Sequence, residues 1–216
     1  MSDKIDLKAL ERKAYLAYHE DGLLDIGIGA VLVWIAIVAL TDSDFTDFPY
    51  YVWFFIIVST WTTAKQQITV PRIGYVEFRE TRKSRIKRLI SLFLLVLTVT
   101  MVTGVLVFKA AGAVESPGWL ITLQNNGDIL LGAVLLGGGL LSVGYSTEVR
   151  RFTNYGIAAV TLHVLNHFLT LNPTWDIWQE MAPVNLLLGL VMLGNGYMLL
   201  RKFKKKYPPT GEHLDE

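Results

Sequence analysis

The side chains best suited to chemistry sit in His163-Val-Leu-Asn166-His167. Two histidines four residues apart share one face of a helix, with Asn166 beside them. Neutral imidazoles at that spacing can ligate one divalent metal, with a carboxylate completing the set. They can equally relay protons, because histidine titrates near neutral pH. The topology set out below brings Asp128, Glu180 and Asn185 to the same level. The candidate polar site is therefore His163, Asn166, His167, Asp128, Asn185 and Glu180, with His163, His167 and Asp128 as its metal-ligating subset. A divalent metal or a haem are the cofactors this pattern admits. The competing reading is hydrogen bonding between helices, worth about 0.6–2 kcal/mol per contact.

Hydrolytic metal chemistry is a poor fit. A zincin would place Glu directly after the first histidine, and position 164 is valine. No phosphate-binding loop, dinucleotide fingerprint or nucleophile elbow occurs; Gly137-Gly-Gly139 lacks the Lys-Ser/Thr that a phosphate loop requires. Without cysteine, thiolate metal sites and cysteine nucleophiles are excluded. No residue is singled out as catalytic, and the balance leans away from an enzyme.

Asp25 marks a second site at the start of the first apolar run. A carboxylate at membrane depth is by default a functional residue. A helix start also favours negative charge through its dipole and free amide groups, so both Asp25 and Asp128 fit a capping role as well. A third cluster, Arg79, Arg82, Lys83, Arg85, Lys87 and Arg88, suits anionic lipid headgroups at about 1 kcal/mol per residue, or a docking partner. The same charges also fix topology. No aromatic or fold signal accompanies them, so nucleic acid is not an expected partner.

These residues need elements to hold them, and composition says what kind. Hydrophobic residues make up 52% and charged residues 18%, with a mean hydropathy of +0.39, which is too few charges for an ordinary soluble domain. The apolar residues form six blocks: Leu23–Leu40, Phe48–Thr63, Leu89–Ala111, Ile129–Tyr145, Tyr155–Leu171 and Val184–Leu200. A span needs ~20 residues at about 1.5 Å each, so the shorter blocks rely on flanking residues in the headgroup zone. Threading the six from inside puts 19 of the 20 Lys and Arg residues on one side, Lys109 being the exception. Positive residues near span ends stay cytoplasmic. The expected fold is an all-α integral membrane protein of six transmembrane helices, N-in and C-in. On this threading His167 lies about 6 Å and His163 about 12 Å below the outer edge.

Three regions follow: a cytoplasmic amphipathic segment over 1–21, a single six-helix domain over 22–200 with a cytoplasmic loop at 65–88, and a basic then acidic tail over 201–216. Ile5, Leu10, Ala14 and Tyr18 suggest a surface helix in the first. The β-favouring stretch around Pro71–Gly74 suggests a hairpin or extended piece. Asp25-Ile-Gly-Ile-Gly-Ala-Val-Leu32 matches Asp128-Ile-Leu-Leu-Gly-Ala-Val-Leu135 at six of eight positions, which fits an inverted 3+3 repeat. Glycine, alanine, valine and leucine also recur in any membrane helix. Glycines seven apart, Gly22/Gly29, Gly132/Gly139, Gly137/Gly144 and Gly189/Gly196, put one small face on spans one, four and six, for a compact bundle or an oligomer seam.

Function is expected in a cell membrane, plasma or inner, within the lipid bilayer. A small transporter or channel-like protein is favoured. The alternatives are a structural or regulatory subunit, docking a membrane partner through its basic loop, and an intramembrane metal- or haem-binding protein.

Overall fold

A computed structural model describes residues 15–41, 56, 59–73, 91, 129–169 and 177–208. Every regular element among them is helical, and no strand occurs. In order these are α1 (Leu23–Leu40), a π-helical turn at Lys65–Thr69 leading into α2 (Val70–Ile73), a π-helical stretch at Ile129–Gly137 leading into α3 (Gly138–Thr147), α4 (Arg150–Leu169) and α5 (Ile177–Lys206). Among the described residues two segments are long and apolar enough to cross a membrane, Tyr15–Leu40 and Trp178–Lys206. The chain divides into two units, one of Met1–Phe78 with Asn185–Glu216 and one of Arg79–Val184.

In the first unit α1 lies antiparallel against α5, and glycine makes the approach close. A Cβ on Gly29 would stand 2.8 Å from the Gly189 carbonyl oxygen, and a Cβ on Gly189 would stand 2.8 Å from that of Gly29. Seven residues along, Gly22 and Gly196 repeat the arrangement at 2.4 and 2.9 Å. Backbones this near leave no room for a side chain on either helix. Gly22 meets a second demand, since its φ of 73° lies in the left-handed region. The seven-residue glycine spacing on these two helices is thus one seam seen from both sides. It sets the start of α1 and the end of α5 at the same end of the pair, where Lys206 reaches Glu20 at 2.9 Å.

The second unit holds an αα-hairpin. α3 ends at Thr147, Glu148 turns through a left-handed φ of 57°, and α4 begins at Arg150. Here too glycines admit the neighbour. A Cβ on Gly137 would meet Val160 Cγ2 at 2.5 Å, and one on Gly144 would meet Thr153 Oγ1 at 2.5 Å. Hydroxyl groups on α3 bond back to their own helix, Ser142 to Gly138 at 2.8 Å and Thr147 to Val143 at 2.7 Å. Such bonds satisfy a polar group in apolar surroundings without water.

One sequence expectation is overturned. The hairpin or extended piece around Pro71–Gly74 is helical as far as Ile73. Ile68, Thr69 and Val70 favour strands by intrinsic preference, but anchoring of Lys65 and Thr69 on Tyr18 and Asp21 overrides a preference of that size. Pro71 is accommodated as well: a proline ring clashes with the carbonyl four residues back, and the wider π-turn immediately before it opens that part of the backbone. Outside the described residues lie residues 3–14 of the expected surface helix, most of the expected spans Phe48–Thr63 and Leu89–Ala111, Asp128, and the basic cluster Arg79, Arg82, Lys83, Arg85, Lys87 and Arg88.

Candidate functional site

Among the described residues, buried charge concentrates at the foot of α1. Asp21 is 1% exposed and Lys65 3%. Asp21 Oδ2 accepts from Lys65 Nζ at 2.5 Å and from the Thr69 hydroxyl at 2.6 Å. Its other oxygen, Oδ1, accepts from the Leu23 amide at 3.1 Å, which satisfies one of the free N–H groups at the start of α1. Lys65 Nζ also donates to the Tyr18 carbonyl at 2.5 Å, and it sits 4.0 Å from the centre of the Tyr18 ring. The Trp61 ring lies further off, at 5.9 Å.

Local sequence explains why these groups meet. Lys65 and Thr69 are four apart in the π-turn and face the same way, toward Asp21. Asp21 precedes Gly22, whose left-handed backbone ends the helical turn at 15–19 and starts α1. Both carboxylate oxygens and the ammonium are engaged, as a buried ion pair requires. Taking two charges out of water costs several kcal/mol each, and only good geometry with further hydrogen bonds offsets about that much. One turn on from Asp21, Asp25 is fully buried in the first turn of α1, where the helix dipole favours a negative charge.

Asp21 and Lys65 are not among the site residues the sequence suggested. Each reads there as a flanking charge, one before the first span and one after the second. The available signal lay in the expected topology: two consecutive spans threaded in opposite directions would bring the start of one and the end of the next to the same end, where opposite charges can pair. Further out, the exposed Glu20 carboxylate holds the Lys206 ammonium above its ordinary value by hydrogen bonding.

The histidine motif lies on α4 as the spacing requires, but its members differ. His163 is buried, and its ring sits directly on Gly132, where a Cβ would stand 2.3 Å from Nδ1. His167 is half-buried, with its ring edge-on to Phe168 at 5.5 Å. Asn166 and Glu180 are brought together, though through the backbone: Asn166 Nδ2 donates to the Glu180 carbonyl at 2.8 Å, tying α4 to the start of α5. Asn185 is buried in the part of α5 that belongs to the other unit. Among the described residues no three His, Asp or Glu side chains stand close enough to hold a metal ion. The chain matches no family model, no curated protein and no solved structure.

Proposed function

We propose that this chain is a multi-pass protein of the cell membrane, with six spans and both termini cytoplasmic, acting as a small transporter or channel-like protein. The observation that carries this reading is the buried Asp21–Lys65 pair. Apolar residues of similar volume would hold two helices together as well or better than a buried ion pair does. Ionisable groups kept at the end of an apolar span are therefore a functional feature first.

Membrane placement draws support from the helix surfaces. On α5 the face away from the glycine seam exposes Leu187, Leu190, Val191 and Met198, each near half of its full area. Side chains of this kind along one helix suit lipid tails, while the seam suits a helix neighbour. The antiparallel α1–α5 pair supports placing both termini on one side, and the positive residues favour the cytoplasm for that side.

A second reading, a packed structural or regulatory subunit, is favoured by the way the histidine motif is seated. His163 fills the space over Gly132, as interhelical packing would have it. Flux separates the two. Vesicles of phosphatidylethanolamine and phosphatidylglycerol carrying the protein are challenged in turn with glycerol, urea, glycine and a proton gradient. A transporter should move at least one of these well above the rate of protein-free vesicles, and Asp21→Asn should slow it. Vesicles that stay as tight as protein-free ones toward all four would hand the account to the docking reading. Neutralising Arg79, Arg82, Lys83, Arg85, Lys87 and Arg88 should then release a membrane partner or anionic lipid.

A further inference from the structure

Lys65 has the surroundings of a bound cation rather than of a lysine in a surface salt bridge. Its ammonium accepts nothing and donates to two oxygens of different kinds, the Asp21 carboxylate and the Tyr18 carbonyl, both at 2.5 Å. The Tyr18 ring lies 4.0 Å away, within the range at which an aromatic face attracts a cation. Thr69 steadies the carboxylate by donating its hydroxyl to the same oxygen, Oδ2, at 2.6 Å. A carboxylate, a carbonyl and an aromatic face are also the donor set that a small free monovalent cation would use. Everything needed comes from the first unit, and Asp21, Lys65 and Thr69 are each at least nine-tenths buried.

We infer that Tyr18, Asp21 and Thr69 form a site for a small monovalent cation of the ammonium type, and that this protein fills it permanently with its own Lys65. The lysine stem is a tether: it supplies the charge that a dissociable ion would otherwise bring, at no cost in ion concentration. The site rests on geometry alone. Its consequence for transport rests on the reading given above: flux through the protein is independent of sodium and potassium gradients, because the cation position is already taken.

Chemical rescue tests the site without any assay of transport. Full-length wild type, Lys65→Ala and Asp21→Asn/Lys65→Ala are purified in detergent. Each is then unfolded by heat in the chloride salts of methylammonium, potassium, sodium or N-methylglucamine at equal ionic strength. Wild type should unfold at one temperature in all four salts. Lys65→Ala should unfold several degrees lower in N-methylglucamine and regain most of that loss in methylammonium, with potassium or sodium giving less. The double variant, which lacks both charges, should fold and show no preference among the salts. The inference is overturned if Lys65→Ala recovers in none of the small cations, or if the double variant recovers equally, which would be a general salt effect. Failure to obtain Lys65→Ala even with methylammonium throughout, while the double variant purifies normally, would overturn it too. Success here with tight vesicles would retain the cation site and remove only the transporter reading.

Discussion

Two pairs of antiparallel helices in this protein use glycine for the same purpose and polar residues for different ones. Along the α1–α5 seam, glycine faces glycine and backbone approaches backbone, and the groups that pair as ions lie at the foot of α1. There Asp21, Lys65 and Thr69 form a fully engaged ionic cluster. In the hairpin of α3 and α4, with the π-helical stretch ahead of it, glycine faces side chains instead. Gly132 receives the His163 ring, Gly137 receives Val160 and Gly144 receives Thr153. The polar residue is thus inside the interface and packs as a large side chain. Spacing of glycines tells which face of a helix is approached; it does not tell what approaches.

The largest effect should come from splitting the ion pair. Lys65→Ala leaves a buried carboxylate without its cation and should cost about 3–5 kcal/mol in detergent unfolding, whereas Asp21→Asn/Lys65→Met should recover most of that. A single variant as stable as wild type would remove the contrast between the two regions. Next comes the seam. Gly189→Leu drives a side chain into the Gly29 carbonyl and the Val33 side chain, and should cost roughly 1–3 kcal/mol or more. Gly194→Ala meets nothing within 4 Å and should be neutral or gain up to about 1 kcal/mol of helix propensity.

In the hairpin, Gly132→Ala places a methyl group against the His163 ring and should destabilise by about 1–3 kcal/mol. Adding His163→Ala should return part of the loss, with a coupling of roughly 0.5–3 kcal/mol in a double-mutant cycle. Strict additivity would mean that the ring does not rest on Gly132. The smallest effect belongs to the exposed Glu20–Lys206 contact. Glu20→Gln should cost no more than about 0.2–1 kcal/mol and less at high salt. The Lys206 ammonium is held above 10.5, so this contribution is complete below that pH and disappears as pH rises through the raised value.

Much of the helical framework was legible because apolar blocks announce themselves. The expected runs Leu23–Leu40, Ile129–Tyr145, Tyr155–Leu171 and Val184–Leu200 all fall on helices wherever the residues are described. The seven-residue glycine spacing was legible as packing, though not which helices would share it. Two things were hidden. The helix through Pro71 was masked by β-branched residues whose preference is weaker than their tertiary contacts. The ionic cluster was masked because Asp21 and Lys65, 44 residues apart, carry charges that near a span end look like topology signals. Pairing across such a separation leaves no local pattern; only the expected threading of two consecutive spans in opposite directions implies it.

Cysteine accessibility reads whether the chain is a multi-pass membrane protein with its ionic cluster at the cytoplasmic end, and the chain has no cysteine of its own to interfere. Single replacements Asp44→Cys, Trp175→Cys, Lys83→Cys and Lys204→Cys are labelled in intact cells with a membrane-impermeant maleimide. Asp44→Cys and Trp175→Cys should label at once, while Lys83→Cys and Lys204→Cys should label only after the membrane is permeabilised. Labelling of all four alike, or of the second pair before the first, would contradict it.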